Sequence, residues 1–375
     1  MAHTEEYDPL HPSQTLKLFG HKKAEQTLLN AYNSERLHHA WLISGEKGLG
    51  KSTLSYIFSR FLLTRPDEAD GGGLFGEELA PEKASSLDVA ADHPMMARLL
   101  SGGHGNIRVV ARKYDEKKKK VPKDIGVDQV RSLVNFFNKT AAERGWRIAI
   151  IDSVDELTRN AANALLKMLE EPPERSILLL ISHTPGRLLP TILSRCQKLP
   201  LLKLSDDEVL SVLKERFTEL DEDEAVAIAK MADGSPGRAI EYASNNGLEV
   251  YKDMVGFLAQ VPNLKTHTLH KFADSLNVIK NEALFEVFCA HYPSWLGMVA
   301  RHIAAGDEFS SIVEGEEQVA ARFAKTMGVE RLIEETIYAQ ELISQTLGLH
   351  LDKKQTILSL FGNLNASFKK SEIAK

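Results

Sequence analysis

Residues 45–53 read GEKGLGKST and fit the pattern G-x-x-x-x-G-K-[ST]. Each residue type has a chemical reason. Gly45, Gly48 and Gly50 let the backbone bend so that successive amides can point at an anion. Lys51 can reach the β- and γ-phosphates of a nucleotide, and Ser52 can offer its hydroxyl to Mg2+. Thr53 is counted with them among the nucleotide-binding candidates. A helix starting near Lys51 would add its positive N-terminal end. The plainer alternative is a glycine-rich turn before a helix. The apolar run AWLIS (40–44) just ahead of the loop and the helical pattern just behind it favour the phosphate reading.

A phosphate loop needs a carboxylate at the end of a buried strand to complete the Mg2+ shell, and RIAIID (147–152) places Asp152 there. In ATPases of this general type a Glu directly after that Asp polarises the attacking water. Here the next residue is Ser153, and a hydroxyl cannot serve as a general base at neutral pH. Asp155 and Glu156 follow three and four residues later. They are expected on the next turn, exposed or capping, and not as substitute bases. The site is thus equipped to hold MgATP or MgADP and poorly equipped to cleave it. A glutamate at 153 is expected to raise hydrolysis if the geometry is otherwise intact.

Buried strands and intervening helices must position these groups. AWLIS (40–44), IRVVA (107–111), RIAIID (147–152) and SILLLIS (176–182) are short apolar runs. Helical patterns separate them, including VDQVRSLVNFFNKT (127–140) and TRNAANALLKMLEE (158–171), the latter stopped by Pro172-Pro173. Such alternation predicts a parallel sheet with helices on both faces. Residues 66–105 break the rhythm and read as a loop-rich insertion. Lys117–Lys120 form a basic turn, ordinarily a solvated loop, with a DNA contact as the sharper option. After Leu201 the strand signal fades. Three short helices follow, with Gly234-Ser235-Pro236-Gly237 as the break before the third and Ser235 as its cap. From Leu248 onwards all patterns are helical.

The bulk properties set limits. The chain has 375 residues, enough for two or three domains, and a formal net charge of −6, which suits a stand-alone DNA binder poorly. Two cysteines, Cys196 and Cys289, are too few for a structural zinc site or a disulfide framework, and this usage suits the cytoplasm. No apolar run reaches membrane-spanning length, and the polar first residues do not read as a secretory signal.

HHAWLISGEKGLGKS (38–52), NALLKMLEEPP (163–173) and TILSRC (191–196) together resemble the bacterial DNA polymerase III clamp-loader subunits of the AAA+ superfamily. The likeness is strongest over about 1–240. Within that family the chain most resembles the delta-prime branch, because motor subunits usually keep an Asp-Glu pair where this chain has Asp152-Ser153. GSPGRAIEY (234–242) points the same way.

The resemblance implies an AAA+ P-loop domain over 1–202, a helical lid over 203–247 and an all-α collar over 248–375. It gives Arg195, between Ser194 and Cys196, a role in trans at a neighbour's ATP, where a guanidinium stabilises charge developing on the γ-phosphate. It puts the polar nucleotide-sensing position at His183, beside Ser182, and leaves Arg238 one residue out of line with the usual lid arginine. Many relatives carry a four-cysteine zinc module where this chain has 66–105, and His93 and His104 cannot rebuild one. The implied partners are gamma or tau motor subunits and a delta subunit, acting with a sliding clamp on primer-template DNA, with no membrane. An active motor ATPase with a diverged site and an unrelated P-loop DNA-repair ATPase or kinase remain the alternatives.

Overall fold

A computed structural model of the chain describes residues 10–65, 83–112, 122–138, 145–278, 281–306 and 308–373. Lys117–Lys120 and residues 66–82 of the insertion lie outside the described residues. Internal contacts group the chain into two units: residues 1–209 with 234–237, and residues 210–233 with 238–375.

The first unit is built on five parallel strands: β1 (Ala40–Ser44), β2 (Ile107–Ala111), β3 (Arg147–Asp152), β4 (Ser176–Ser182) and β5 (Gln197–Pro200). Their order across the sheet is β2-β3-β4-β1-β5. Four of the five are the apolar runs seen in the sequence. β5 escapes sequence reading because it is short and ends in proline, and only Leu199 of its residues is buried. It pairs with β1 at the sheet edge, where one buried side chain suffices.

Side chains alternate across the sheet with period two. Trp41, Ile43, Ile148, Ile150, Leu179 and Ile181 face one layer, packed with α1 (Lys22–Asn33) and α2 (Lys51–Leu63). Ala40, Leu42, Ala149, Ile151, Leu178 and Leu180 face the other, packed with α4 (Val127–Asn138) and α5 (Arg159–Glu170). All seven residues of β4 are buried, which is why SILLLIS carries no polar alternation. Each fully buried aliphatic side chain contributes about 1.5–3 kcal/mol, so the central strands fix the sheet that carries the loop. One short helix, α3 (Met96–Leu100), lies within the stretch expected to be loop-rich, buried through Met96 and Leu99. Five residues with two anchors give too little period to be read from sequence.

Helices α6 (Pro190–Leu193), α7 (Asp206–Arg216), α8 (Glu222–Met231) and α9 (Pro236–Ser244) follow, then α10 (Gly247–Gln260), α11 (Thr266–Leu276), α12 (Glu282–Ala305), α13 (Glu316–Leu349) and α14 (Lys353–Ile373). α13 is interrupted at Gly328, whose φ of 75° and ψ of 171° leave the helical region. The core of the second unit is aromatic: Phe288, Tyr292 and Phe361 meet within 5.2–6.1 Å. Among the described residues, no helix is long and apolar enough to cross a membrane.

Candidate nucleotide site

The loop 45–50 leaves β1 and opens α2. Gly48 and Gly50 have φ of 83° and 86°, a conformation that glycine adopts at no steric cost. Gly50 is the N-cap of α2, and Lys51 is its first residue.

Five consecutive carbonyls of the loop accept hydrogen bonds. Lys51 Nζ donates to Gly45 O at 2.7 Å and to Glu46 O at 2.5 Å. Ser235 Oγ donates to Lys47 O at 3.1 Å, the Gly237 amide to Gly48 O at 2.8 Å, and His21 Nε2 to Leu49 O at 2.7 Å. Two segments distant in sequence, at His21 and at Ser235–Gly237, therefore hold the loop together with its own Lys51. Gly237 fits only as glycine, since a Cβ there would stand 2.7 Å from Gly48 Cα. The Ser235 hydroxyl, expected to serve its own helix, reaches the glycine-rich loop.

Lys51 is 3% exposed. Burial pulls its ammonium down to about 8, although Asp152, Asp155 and Glu46 act to raise it. Ser52 Oγ donates to Asp152 Oδ2 at 2.6 Å, so the hydroxyl and the carboxylate expected to serve Mg2+ are already together. His183 follows β4, beside the loop: Ser182 pairs with Ser44, and the Gly45 amide donates to Ser182 O at 3.2 Å. Burial and then the charge of Lys51 lower the His183 imidazole, against the opposing pull of Asp152 and Asp155. Its Nδ1 is buried without a hydrogen-bond partner.

These groups fit a magnesium nucleotide. The loop backbone, Lys51 and the α2 N-terminus suit phosphates, Ser52 with Asp152 suits the cation, and the His183 Nδ1 lacks a partner that a phosphate oxygen or water could supply. Among the described residues, no cluster of three or more His, Cys, Asp and Glu side chains could hold a metal by itself. A Mg2+ here would arrive with its phosphates.

The acidic turn after β3 differs from expectation. Asp155 does not point away from the sheet. It accepts from Ser182 Oγ at 2.5 Å, from the His183 amide at 2.5 Å, from Ser153 Oγ at 2.8 Å and from the Thr184 amide at 3.4 Å. Burial pushes its carboxyl up, but these hydrogen bonds outweigh burial and leave it below the ordinary value. The physical reason is the 3-10 turn Val154–Glu156, which buries Val154 and swings Asp155 under the tip of β4. Glu156 pairs with Arg112 at 2.7 Å, and burial raises its carboxyl. Ser153 is 2% exposed. A glutamate at 153 would have to fit where this buried hydroxyl sits and face the Asp155 carboxylate, so that single exchange no longer looks sufficient to restore hydrolysis.

Arg195 lies away from this cluster. Its guanidinium donates to Thr191 O at 3.0 Å and pairs with Glu170 at 2.9 Å. Glu170 ends α5, so the Leu-Glu-Glu-Pro-Pro and Ser-Arg-Cys stretches meet in space. Cys196 is half-buried, and burial pushes its thiol up to about 12, which makes it unreactive. Arg238 groups with the second unit, where its charge acts on Tyr242 and His291.

Comparison with known proteins decides the family. Residues 20–205 match the family described as DNA polymerase III, delta subunit. A DNA polymerase III subunit delta' from Pseudomonas aeruginosa is 31% identical over 290 residues, covering 76% of this chain and 78% of that one. The chain belongs to the delta-prime family. A Bacillus subtilis subunit delta' is 31% identical over 196 residues, 52% of this chain and 50% of that relative. Against the latter the chain matches only half the relative's length. A DNA polymerase III subunit gamma from Buchnera aphidicola is 25% identical over 266 residues, 68% of this chain and 65% of that one. The parallel sheet with helices on both faces, the loop after β1 and the helical remainder are the architecture expected from the sequence.

Proposed function

We propose that this chain is a nucleotide-holding, weakly hydrolytic subunit of a DNA polymerase III clamp loader. It would join gamma or tau motor subunits and a delta subunit, and act through that assembly on the sliding clamp and primer-template DNA. Residues 1–202 would be the P-loop domain, residues 203–247 the lid and residues 248–375 the collar. Gly45, Gly48, Gly50, Lys51, Ser52, Thr53, Asp152 and His183 would hold ATP or ADP, with Ser52 and Asp152 serving Mg2+.

One observation carries the weakly hydrolytic part. The position after Asp152 holds a buried serine whose hydroxyl is committed to Asp155, so no carboxylate there can activate water. What Mg2+ would supply is neutralisation of phosphate charge. The chain's own residues bind and orient: Lys51 offers its ammonium, Asp152 accepts from Ser52, and His183 brings its imidazole.

Arg195 supports the reading in trans. Its partner Glu170 is half exposed, and such pairs contribute about 0–1 kcal/mol, so a neighbour's γ-phosphate could draw the guanidinium away cheaply.

The test is reconstitution with motor and delta subunits, scoring assembly, ATPase and clamp loading. Arg195→Ala is expected to cut ATPase of the complex by about 10³-fold or more at the site it serves, while binding of nucleotide to this chain is unchanged. An unaffected complex would show that the trans role is wrong. Strong Lys51-dependent turnover by the isolated chain would favour the motor alternative.

A further inference from the structure

Asp155 has no ligand-binding part in the scheme above, yet four hydrogen bonds tie it to the strand ends beside the loop. We propose that Asp155 is a positioning residue that fixes the tip of β4 and so presents the His183 imidazole to the phosphate end of a bound nucleotide. This rests on the nucleotide reading of the loop.

The geometry is specific. Asp155 Oδ1 accepts from Ser182 Oγ, and Oδ2 accepts from Ser153 Oγ and from the His183 and Thr184 amides. One donor reaches Oδ1 and three converge on Oδ2, so the carboxylate is engaged through both oxygens. The donors come from both sides of a strand junction: Ser153 follows β3, Ser182 ends β4, and His183 and Thr184 come directly after it. Asp155 thus ties together two adjacent strand ends where the sheet ladder stops. Ser182 also receives the Gly45 amide through its carbonyl, so the tied segment adjoins the phosphate loop.

A second observation points to the ligand. The His183 backbone is held by Asp155, but its ring Nδ1 is buried and unpartnered. A buried nitrogen without a partner is costly, and such atoms mark sites where a water or ligand completes the bonding. The charges that act on this ring are those of Lys51, Asp152, Asp155 and Lys47, which are the groups around the loop. Asp155 acts through backbone and hydroxyls, not on the nucleotide, so its role is orientation.

Ser153 belongs to the same unit. Its buried hydroxyl donates to the oxygen that also holds His183. A glutamate at 153 would set a second carboxylate against Asp155. Restoring a hydrolytic base therefore requires changing both positions.

The experiment is a double-mutant cycle on the full chain, using a fluorescent ADP with Mg2+ and amide hydrogen exchange. Asp155→Asn keeps the shape but replaces one acceptor oxygen by a donor. It is expected to weaken nucleotide binding about tenfold when His183 is present and less than about twofold in His183→Ala. Equal losses in both backgrounds, or no loss, overturn the proposal. Without nucleotide, the His183 amide should exchange about tenfold or more faster in Asp155→Asn than in wild type, and equal exchange also overturns it. A wild type that binds no nucleotide overturns the nucleotide reading and the presentation of His183, and the exchange result still decides the tie between Asp155 and β4. Ser153→Glu should lower the unfolding midpoint, and adding Asp155→Asn should recover part of the loss. Additive losses overturn the Ser153–Asp155 pairing.

Discussion

Asp155 in the first unit and Glu316 in the second do the same chemical job in different surroundings. Glu316 opens α13 and is fully buried. It accepts from Tyr251 Oη at 2.6 Å, from Trp295 Nε1 at 3.0 Å, and from the Ile312 and Val313 amides at 2.6 and 3.0 Å. Like Asp155, it gathers two side-chain donors and two amides. Glu316 sits among aromatic rings, at the N-terminus of a long helix whose dipole favours its charge. Asp155 sits beside Lys51, Asp152 and His183. The same cluster of donors around a carboxylate serves packing in one place and orients a site in the other. The carboxylate alone does not reveal which. The neighbours do.

Four experiments break or sharpen that contrast. Glu316→Ala should have the largest effect, because it leaves four buried donors without an acceptor. A loss of about 3–4 kcal/mol is expected in urea unfolding. A loss below about 1 kcal/mol would mean that water replaces the carboxylate and that the comparison fails.

Asp155→Ala should cost less, about 1–2 kcal/mol, because the tip of β4 is closer to solvent. Its acid dependence carries the sign. The folded carboxyl titrates below its unfolded value, so its contribution is present above the ordinary carboxylate range and is lost as pH falls through the folded value. The gap between wild type and Asp155→Asn should therefore close as pH falls below about 4. A gap that widens in acid would reverse the assignment.

Lys51, pulled down to about 8 by burial, should make nucleotide affinity fall as pH rises from about 7 to 9, by at most about tenfold per pH unit, because only the ammonium attracts phosphate. Lys51→Ala should bind far more weakly and show no such slope. The smallest effect belongs to Arg195→Ala in the isolated chain. Its pair with Glu170 is half exposed, and unfolding should shift by less than about 1 kcal/mol. A larger shift would make Arg195 structural instead of a residue kept for a neighbour.

Much of the first unit was legible because its signals are local. AWLIS, IRVVA, RIAIID and SILLLIS are the strands β1 to β4 at the expected residues. The helix after the loop runs Lys51–Leu63, and Thr158 caps α5 by accepting from the Ala161 amide. β5 and α3 were missed because each has too few buried residues to make a period. The tie from Asp155 to residues 182–184 was missed for another reason. Its two ends are 27 residues apart or more, and nothing in DSVDE distinguishes an inward Asp155 from a solvated one. The contact of Gly237 with Gly48 was equally silent, since a glycine chosen for close approach looks like a glycine chosen for a turn.

Residue type and spacing by themselves determined that this chain has a G-x-x-x-x-G-K-S loop between a strand and a helix, a carboxylate on the next strand but one and a serine after it. These features depend only on near neighbours in the chain: glycine conformational freedom, hydrophobic period and the chemistry of a hydroxyl. Tertiary structure decided where Asp155 turns, which two distant segments hold the loop carbonyls and that Ser153 is already engaged. Those outcomes depend on which polar groups meet once the sheet excludes water. There a buried carboxylate takes whatever donors the converging strand ends supply.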